Sequence, residues 1–294
     1  MNPLTVSVII PAYNEQDRIG RTLECLIEQI DEIDEIIVVD NRSTDATAEV
    51  VSEIRLREPK VRIVSEDRPG VFYARQAGFD AATSTVIARL DADTYARPGW
   101  ARALREFFES APSNVGAVTG PLVPYDSPYR AKFESGKIQE IEAGLAKHNP
   151  GGRAVYDIQM APGGNMAISR ECWLAIRDGL SERTDIYDDL DLSICVRKAG
   201  FAIGLSADMW AETSARRFRT SPFSYWSYMA QLPRTYRAHG DKKQAWASYG
   251  VVWNNRLLHL WTWLPARAFD MDTGKKSFKQ LFRREEDRIV GRAK

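Results

Sequence analysis

Glu35-Ile36-Ile37-Val38-Val39-Asp40 decides the fold of this chain. Four consecutive β-branched residues between two acids read as a short strand, and the lack of polar alternation means that both faces are buried. Strands of this kind belong to parallel sheets covered by helices on both sides. Upstream, Thr5-Val6-Ser7-Val8-Ile9-Ile10 is another β-rich run, closed by Pro11. Asp17 to Ile30 then places Ile19, Leu23, Leu26, Ile27 and Ile30 on one helical face. Downstream, Asn41 to Thr44 form a turn, Asp45 suits a helix N-cap, and a helix from Ala46 to about Glu58 stops near Pro59. Val61-Arg62-Ile63-Val64 is a third strand. Pro69-Gly70 punctuates the next loop, Val71 to Ala82 reads as a helix, and Thr85-Val86-Ile87-Ala88 as a fourth strand. The alternation predicts an α/β protein with a Rossmann-like, mostly parallel central sheet, doubly wound by right-handed crossovers.

Ligands of such sheets bind beyond the carboxyl ends of the strands. Pro11 to Glu15, Asp40 to Thr44 and Asp91 to Thr94 should therefore share one rim, where Asn14, Glu15, Asp40, Asp91 and Asp93 converge. Within Ala88-Arg89-Leu90-Asp91-Ala92-Asp93-Thr94, two carboxylates stand one residue apart just after a buried strand. Unpaired charge is costly to desolvate, so the pair needs either water or a cation. Magnesium or manganese held against a diphosphate would satisfy it, because hard divalent cations take oxygen ligands.

The second half is less regular. Val115 to Gly120 reads as a strand, Tyr129 to Lys147 as a helix and His148 to Arg153 as a loop. Gly163-Gly164-Asn165 precedes an apolar strand, the pattern of a close backbone approach or of a tight turn. Asp185, Asp188, Asp189 and Asp191 crowd a helix start that runs through Leu192 and Val196 to a Gly200 cap. Three acids in four residues exceed what capping and the helix dipole require, and clustered carboxylates suit a general base.

Composition narrows the function classes. The 294 residues have a formal net charge of zero, so nucleic acid is not a favoured partner. Cys25, Cys172 and Cys195 are scattered, without metal-ligand or disulfide spacing, as in a reducing cytoplasm. There is no signal-peptide pattern and no uninterrupted apolar run of membrane-spanning length.

The ordered motifs Val6-Ser7-Val8-Ile9-Ile10-Pro11-Ala12-Tyr13-Asn14-Glu15, Val38-Val39-Asp40-Asn41-Arg42-Ser43-Thr44-Asp45, Pro69-Gly70 with Ala74-Arg75, Leu90-Asp91-Ala92-Asp93, Gly163-Gly164-Asn165 and Asp188-Asp189-Leu190-Asp191-Leu192 resemble the family-2 glycosyltransferases. Order and spacing agree from about residue 5 to residue 217. The resemblance implies a GT-A fold, a nucleotide-diphospho-sugar donor, a hydroxyl acceptor, a divalent metal and inversion at the anomeric carbon. It assigns Pro11, Ala12, Tyr13, Asn14 and Glu15 to the nucleotide pocket, Asp40 to the base and Arg75 to the nucleotide or its phosphates. It makes Asp93 and Asp91 the metal-diphosphate motif, and Gly163, Gly164 and Asn165 the floor under donor sugar and acceptor. Asp189 matches the catalytic base, with Asp188 in place of the more usual Glu. Many relatives carry a metal-binding histidine where Glu212 and Thr213 stand here, so a third ligand is open; His239 is one candidate and a structural histidine is the alternative. Arg216 and Arg217 read either as a phosphate clamp or as a solvated basic turn after a strand-like Ile203 to Trp210.

Gln231-Leu232-Pro233-Arg234-Thr235 resembles the Gln-x-x-Arg-Trp signature of processive polysaccharide synthases, with Thr235 replacing the tryptophan. Single-sugar transfer is favoured over chain synthesis. A nucleotidyltransferase would carry a glycine- and Lys/Arg-rich first loop, which Pro11 to Glu15 lacks. A non-catalytic nucleotide-sugar scaffold would have lost Asp91, Asp93 or Asp189.

Residues 1–220 are expected to form the catalytic domain, with 1–110 its nucleotide half and 111–220 its acceptor half, and 221–294 a helical extension. Five of the eight tryptophans lie between Trp226 and Trp263. Val252, Trp253, Leu257, Leu260, Trp261 and Leu264 recur at helical spacing, and residues 267–294 hold nine basic and five acidic side chains. Such a tail either lies in a membrane interface, where a lipid-linked acceptor would be met, or packs on the catalytic domain or a second subunit. The expected location is the cytoplasm or the inner face of the cytoplasmic membrane.

Overall fold

The structure, a computed structural model, describes residues 3–270 and 275–278. Its first part alternates as the apolar runs predict: β1 (Val6–Ala12), α1 (Ile19–Ile27), β2 (Glu35–Asp40), α2 (Thr47–Arg57), β3 (Val61–Ser65), α3 (Val71–Ala81) and β4 (Val86–Leu90). Then follow β5 (Thr94–Ala96), α4 (Trp100–Ser110), β6 (Val115–Thr119), β7 (Leu122–Pro124), α5 (Arg130–His148), β8 (Ala154–Val155), β9 (Asn165–Ser169), α6 (Arg170–Ile176), α7 (Asp188–Lys198), β10 (Ala202–Ser206) and β11 (Ala211–Thr213). Helices α8 (Arg216–Arg219), α9 (Pro222–Met229), α10 (Gln231–Ala238) and α11 (Lys242–Arg267) follow.

Eight strands form one sheet in the order β3-β2-β1-β4-β9-β6-β10-β8, and β5-β11-β7 form a small second sheet. The first four strands are mutually parallel. Ile36, Ile37, Val38 and Val39 of β2 are fully buried, and their side chains alternate between two cores. On one face Val8, Ile10 and Val38 pack with Leu23 of α1, Val51 of α2 and Trp100 and Leu104 of α4. On the other, Ile9, Ile37 and Val39 meet Phe79 of α3, Trp173 of α6 and Val196 of α7. Gly78 lets α3 lie close: a Cβ there would stand 3.0 Å from Ile9 Cδ1 and 3.1 Å from Val39 Cγ2.

The sheet departs from simple parallel winding at β9, which runs antiparallel to both β4 and β6. The predicted helix from Asp17 begins only at Ile19, because Glu15 O accepts from both Arg18 N and Ile19 N at 2.9 Å. It ends at Ile27, and Ile30–Glu32 form a separate 3₁₀ turn. Asp45 lies one residue ahead of the cap position and instead accepts from Thr47 N at 3.0 Å. The strand-like run Ile203 to Trp210 breaks after Ser206, where Trp210 folds back and donates through N to Asp208 O and through Nε1 to Ala207 O.

Candidate active site

Parallel pairing puts the carboxyl ends of β1, β2 and β4 on one rim. The first two loops are laced together there. Asn14, in the left-handed region at φ 53°, donates from N to Ser43 Oγ at 3.1 Å and accepts at Oδ1 from Thr44 N at 2.8 Å. Glu15 N donates to Thr47 Oγ1 at 2.8 Å, and Asn41 N to Ala12 O at 2.9 Å. Asp40, at the end of β2, accepts from Ser43 N at 3.3 Å. Asn41, at the start of the predicted turn, ties in the third loop: its Nδ2 donates to Glu66 O and Arg68 O, and its Oδ1 accepts from Gly70 N. Pro11 and Ala12 end β1 within the sheet, and Tyr13 stands exposed beyond them.

The centre of the site is Arg89, a fully buried cation on β4. Its Nη1 donates to Asp189 Oδ1 at 2.9 Å and its Nη2 to Asp91 Oδ1 at 3.1 Å. Arg75 of α3 meets Asp188, lies 3.4 Å from Asp189 Oδ1 and reaches Asp91 Oδ1 at 3.9 Å. Gly163 N donates to Asp189 Oδ2 at 2.9 Å. A Cβ on Gly163 would stand 2.1 Å from both Arg89 Nη1 and Asp189 Oδ1, so only glycine fits there. Gly164 borders Asp91: its Cβ would lie 3.4 Å from Asp91 Oδ2. Asp91, Asp188, Asp189, Arg75, Gly163 and Gly164 thus come together in the structure. Arg89 was the missed member. Its signal was a charge inside an otherwise apolar strand, two residues before Asp91.

The electrostatics divide these acids. Burial works against ionisation of Asp189, but Arg89, Arg75 and the Gly163 N–H outweigh it and hold the carboxyl well below the ordinary range. Asp91 behaves alike: burial raises it, and Arg89 with Arg75 brings it below the usual value. Burial, aided by neighbouring Arg89, lowers Arg75 to about 10. Asp93 moves the other way. It is buried, Arg216 offsets only part of that burden, and nearby Asp91 adds to it, so its pKa is raised.

Asp93 and buried Glu15 both meet Arg216, which contacts Asp93 Oδ2 and lies 3.3 Å from Glu15 Oε1. Arg216 is therefore a carboxylate partner here and not a solvated turn residue. Exposed Arg217 sits over the Tyr228 ring at 4.4 Å and meets its hydroxyl, with Asp91 and Asp189 among the acids that act on it.

One expectation is corrected, and the structural alternative for His239 is the one its contacts support. Asn165 does not line the floor: it is fully buried, donating to Pro121 O at 3.1 Å and Met209 O at 2.7 Å and accepting from Trp100 Nε1 at 2.8 Å. It holds the floor from beneath. His239 is taken up elsewhere, with Nε2 2.7 Å from Asp191 Oδ1 and Nδ1 3.0 Å from Lys198 Nζ. Asp191 also accepts from Ser181 N at 2.9 Å, so it belongs to the fold and not to the acid pair in the cleft. Glu212 is held by Arg97 at 2.9 Å and Arg130 at 2.7 Å.

The rim suits a hard cation. Asp91 and Asp93 offer carboxylate oxygens side by side, and the raised pKa of Asp93 marks a place short of positive charge. Arg89 and Arg75 take Asp91 Oδ1, while Oδ2 forms no hydrogen bond among the described residues.

Comparison with known proteins identifies the family and the fold. Residues 7–179 match the family described as "Glycosyl transferase family 2". The amylovoran biosynthesis glycosyltransferase AmsB of Erwinia amylovora is 43% identical over 96 residues, 32% of each chain. The succinoglycan biosynthesis protein ExoO of Rhizobium meliloti is 32% identical over 137 residues, 46% of this chain and 39% of that one. The matches thus span between about a third and two fifths of these relatives' lengths. Among solved structures, the mannosyltransferase PcManGT from Pyrobaculum calidifontis, in complex with GDP-Man and Mn2+, superposes with a TM-score of 0.61 over 94% of this chain and 77% of its own, at 22% identity. GalNAc-T7 with UDP, GalNAc and Mn2+ gives 0.57 over 72% of this chain and 43% of its own, at 16% identity. The shared architecture is the GT-A fold.

Proposed function

Because the chain belongs to glycosyl transferase family 2, we propose that it moves a sugar from a nucleotide-diphosphate donor to a hydroxyl acceptor, with inversion at the anomeric carbon. The observation that carries this reading is the meeting of Asp91 and Asp189 on Arg89 beneath Gly163. It sets a base and a diphosphate station on one opening.

In this reading Pro11 to Glu15 and Asp40 receive the nucleotide, and Arg75 with Arg217 faces its phosphates. Asp91 and Asp93 would hold a magnesium or manganese ion; when bound, such an ion neutralises charge on the leaving diphosphate. Asp189 takes the proton of the acceptor hydroxyl at a carboxylate oxygen. The freed oxygen bonds to the anomeric carbon from the face opposite the leaving group. The bond from that carbon to the diphosphate oxygen breaks, and nucleoside diphosphate leaves with the electron pair. Arg89 and Gly163 N–H fix the Asp189 carboxylate in one orientation and keep it ionised, which matters because a base acts only when its geometry is set. Arg216, now on Asp93 and Glu15, is the side chain that a diphosphate at Asp93 would meet next.

Residues 1–110 serve the nucleotide and 111–220 the acceptor. Thr235 is fully buried and accepts from Tyr187 N at 2.8 Å, so the segment resembling the processive signature braces α7. That favours single-sugar transfer. The amylovoran and succinoglycan relatives favour a role in cell-envelope polysaccharide synthesis, with a lipid-linked acceptor at the inner face of the cytoplasmic membrane. No helix among the described residues is long and apolar enough to cross a membrane.

The test is Asp189→Asn, scored by nucleoside diphosphate release and by donor binding. Transfer should fall roughly a hundred- to ten-thousand-fold while donor affinity stays within a few-fold. A variant that still transfers at the wild-type rate ends the assignment.

A further inference from the structure

Helix α11 is attached to the body along one narrow side. Ala245, Ser248, Val252 and His259 are buried, and the His259 ring stacks on Tyr225 of α9 at 3.9 Å. Arg256 Nη2 reaches back to Trp226 O at 2.8 Å. This corrects the expected grouping, since Val252 faces inward while Trp253 does not. The outward side carries Trp246, Tyr249, Trp253, Leu257, Trp261 and Leu264, which recur every three or four residues and form one stripe. Trp246 is 80% exposed and Trp261 82%, and with their neighbours they make one contiguous apolar face, the kind that marks an interaction surface. Over eighteen residues the stripe is about 27 Å long.

We propose that this face of α11 seats the protein on an anionic lipid surface, with lipid phosphate gripped at the helix's amino-terminal end. Three observations select that occupant. The sequence from Lys242 to Arg267 contains no Asp or Glu, and exposed Lys242 and Lys243 open the helix, so the charge complements an anionic surface. The exposed rings are tryptophan and tyrosine, whose amphipathic bodies favour the headgroup level. At the amino-terminal end, Arg237, Gly240, Lys242, Ala245 and Trp246 line a cleft of about 400 Å³. Two cations and an indole wall there suit a phosphate headgroup with an acyl chain beside it. A second copy of this chain is a poorer occupant. Antiparallel pairing of two stripes would bring Lys242 and Lys243 toward a basic Arg267 end, where Asp241, already capping α11 through Gln244 N, and Asp270 do not balance the four basic residues of each helix. The basic residues from 279 onward lie outside the described residues.

The helix lies close to the reactive opening. Trp263 Nε1 donates to Arg219 O at 3.2 Å, which joins α11 to the short α8 that carries Arg216 and Arg217. A bilayer under α11 would therefore lie near the cleft, and this consequence rests on the transfer reading above. The docking itself does not.

The full chain is spun with vesicles of phosphatidylglycerol and phosphatidylethanolamine, or of phosphatidylcholine alone. Wild type should sediment with the anionic vesicles and be released by salt. The triple variant Trp246→Ser/Trp253→Ser/Trp261→Ser should bind at least about tenfold more weakly, and Lys242→Gln/Lys243→Gln about tenfold more weakly. Both should keep the wild-type melting temperature and slow donor hydrolysis in buffer. Equal sedimentation of wild type and triple variant, or no binding by wild type at any composition, overturns the proposal. So does a wild-type dimer that the triple substitution splits without any vesicle binding. Vesicle binding without donor hydrolysis would instead leave the docking standing and count against the transfer reading.

Discussion

Asp189 and Asp93 each face an arginine, yet their proton affinities move in opposite directions. Half-buried Asp189 has a fixed, fully buried Arg89, a second arginine and a backbone N–H around it. Buried Asp93 leans on Arg216, which comes from a four-residue helix 123 residues away in sequence and also serves Glu15. Where the positive charge is built into the sheet, the carboxylate is held ready as an anion. Where it is lent by a short remote helix, the carboxylate remains short of charge, and in the proposed reading an incoming cation takes the partner's place.

After the Asp189→Asn test, the largest expected effect comes from removing the Asp93 carboxylate. Asp93→Asn should lower transfer about a hundredfold or more, and added manganese should no longer change the rate in a metal titration. Persistent metal activation in that variant would place the cation elsewhere. Arg89→Met strikes the fixed station. It leaves Asp91 and Asp189 without their main counter-charge, so stability should drop by about 1–3 kcal/mol in urea unfolding.

The pH dependence follows from the direction of the shift. The Asp189 carboxyl is lower in the folded chain than in the unfolded one, so its stabilising contribution is present above the ordinary carboxylate range and fades as pH falls through and below it. In Arg89→Met that contribution shrinks, and the acid limb of kcat/KM should move toward neutrality. An acid limb that does not move would show that Asp189 is tuned by something other than Arg89. The smallest effect belongs to Arg216→Met. Losing a competitor at Asp93 should tighten manganese binding to the donor-free protein a few-fold by calorimetry, since a neutral side chain neither occupies the site nor repels the ion. Weaker binding there would mean that Arg216 organises the site.

The nucleotide half was legible because its information is local. Each strand, turn and acid from Val6 to Asp93 is specified within a few residues, and parallel pairing then assembles the rim. The other half depends on contacts that sequence spacing does not encode. The direction of β9 is invisible in Asn165-Met166-Ala167-Ile168-Ser169, since an apolar strand reads the same in either sense. Asn165 sits in a motif associated with ligands, yet its neighbours Trp100, Pro121 and Met209 turn it inward. Arg216 is one of two adjacent basic residues, and nothing in that pair shows which one meets Asp93. Asp191 and His239 are distant in sequence and find each other only when α10 packs on α7.

Strand β9 has a consequence of its own. Because it enters the sheet beside the point where β4 leaves, with Leu90 opposite Asn165, the chain between Thr119 and Asn165 departs from and returns to the reactive side. Lengthening or rebuilding that excursion would alter what the opening admits while leaving the first four strands untouched. One reversed strand thus lets the outer stretch of that excursion change length while Gly163, Gly164 and Asn165, at its return, stay fixed beside Asp189 and Asp91.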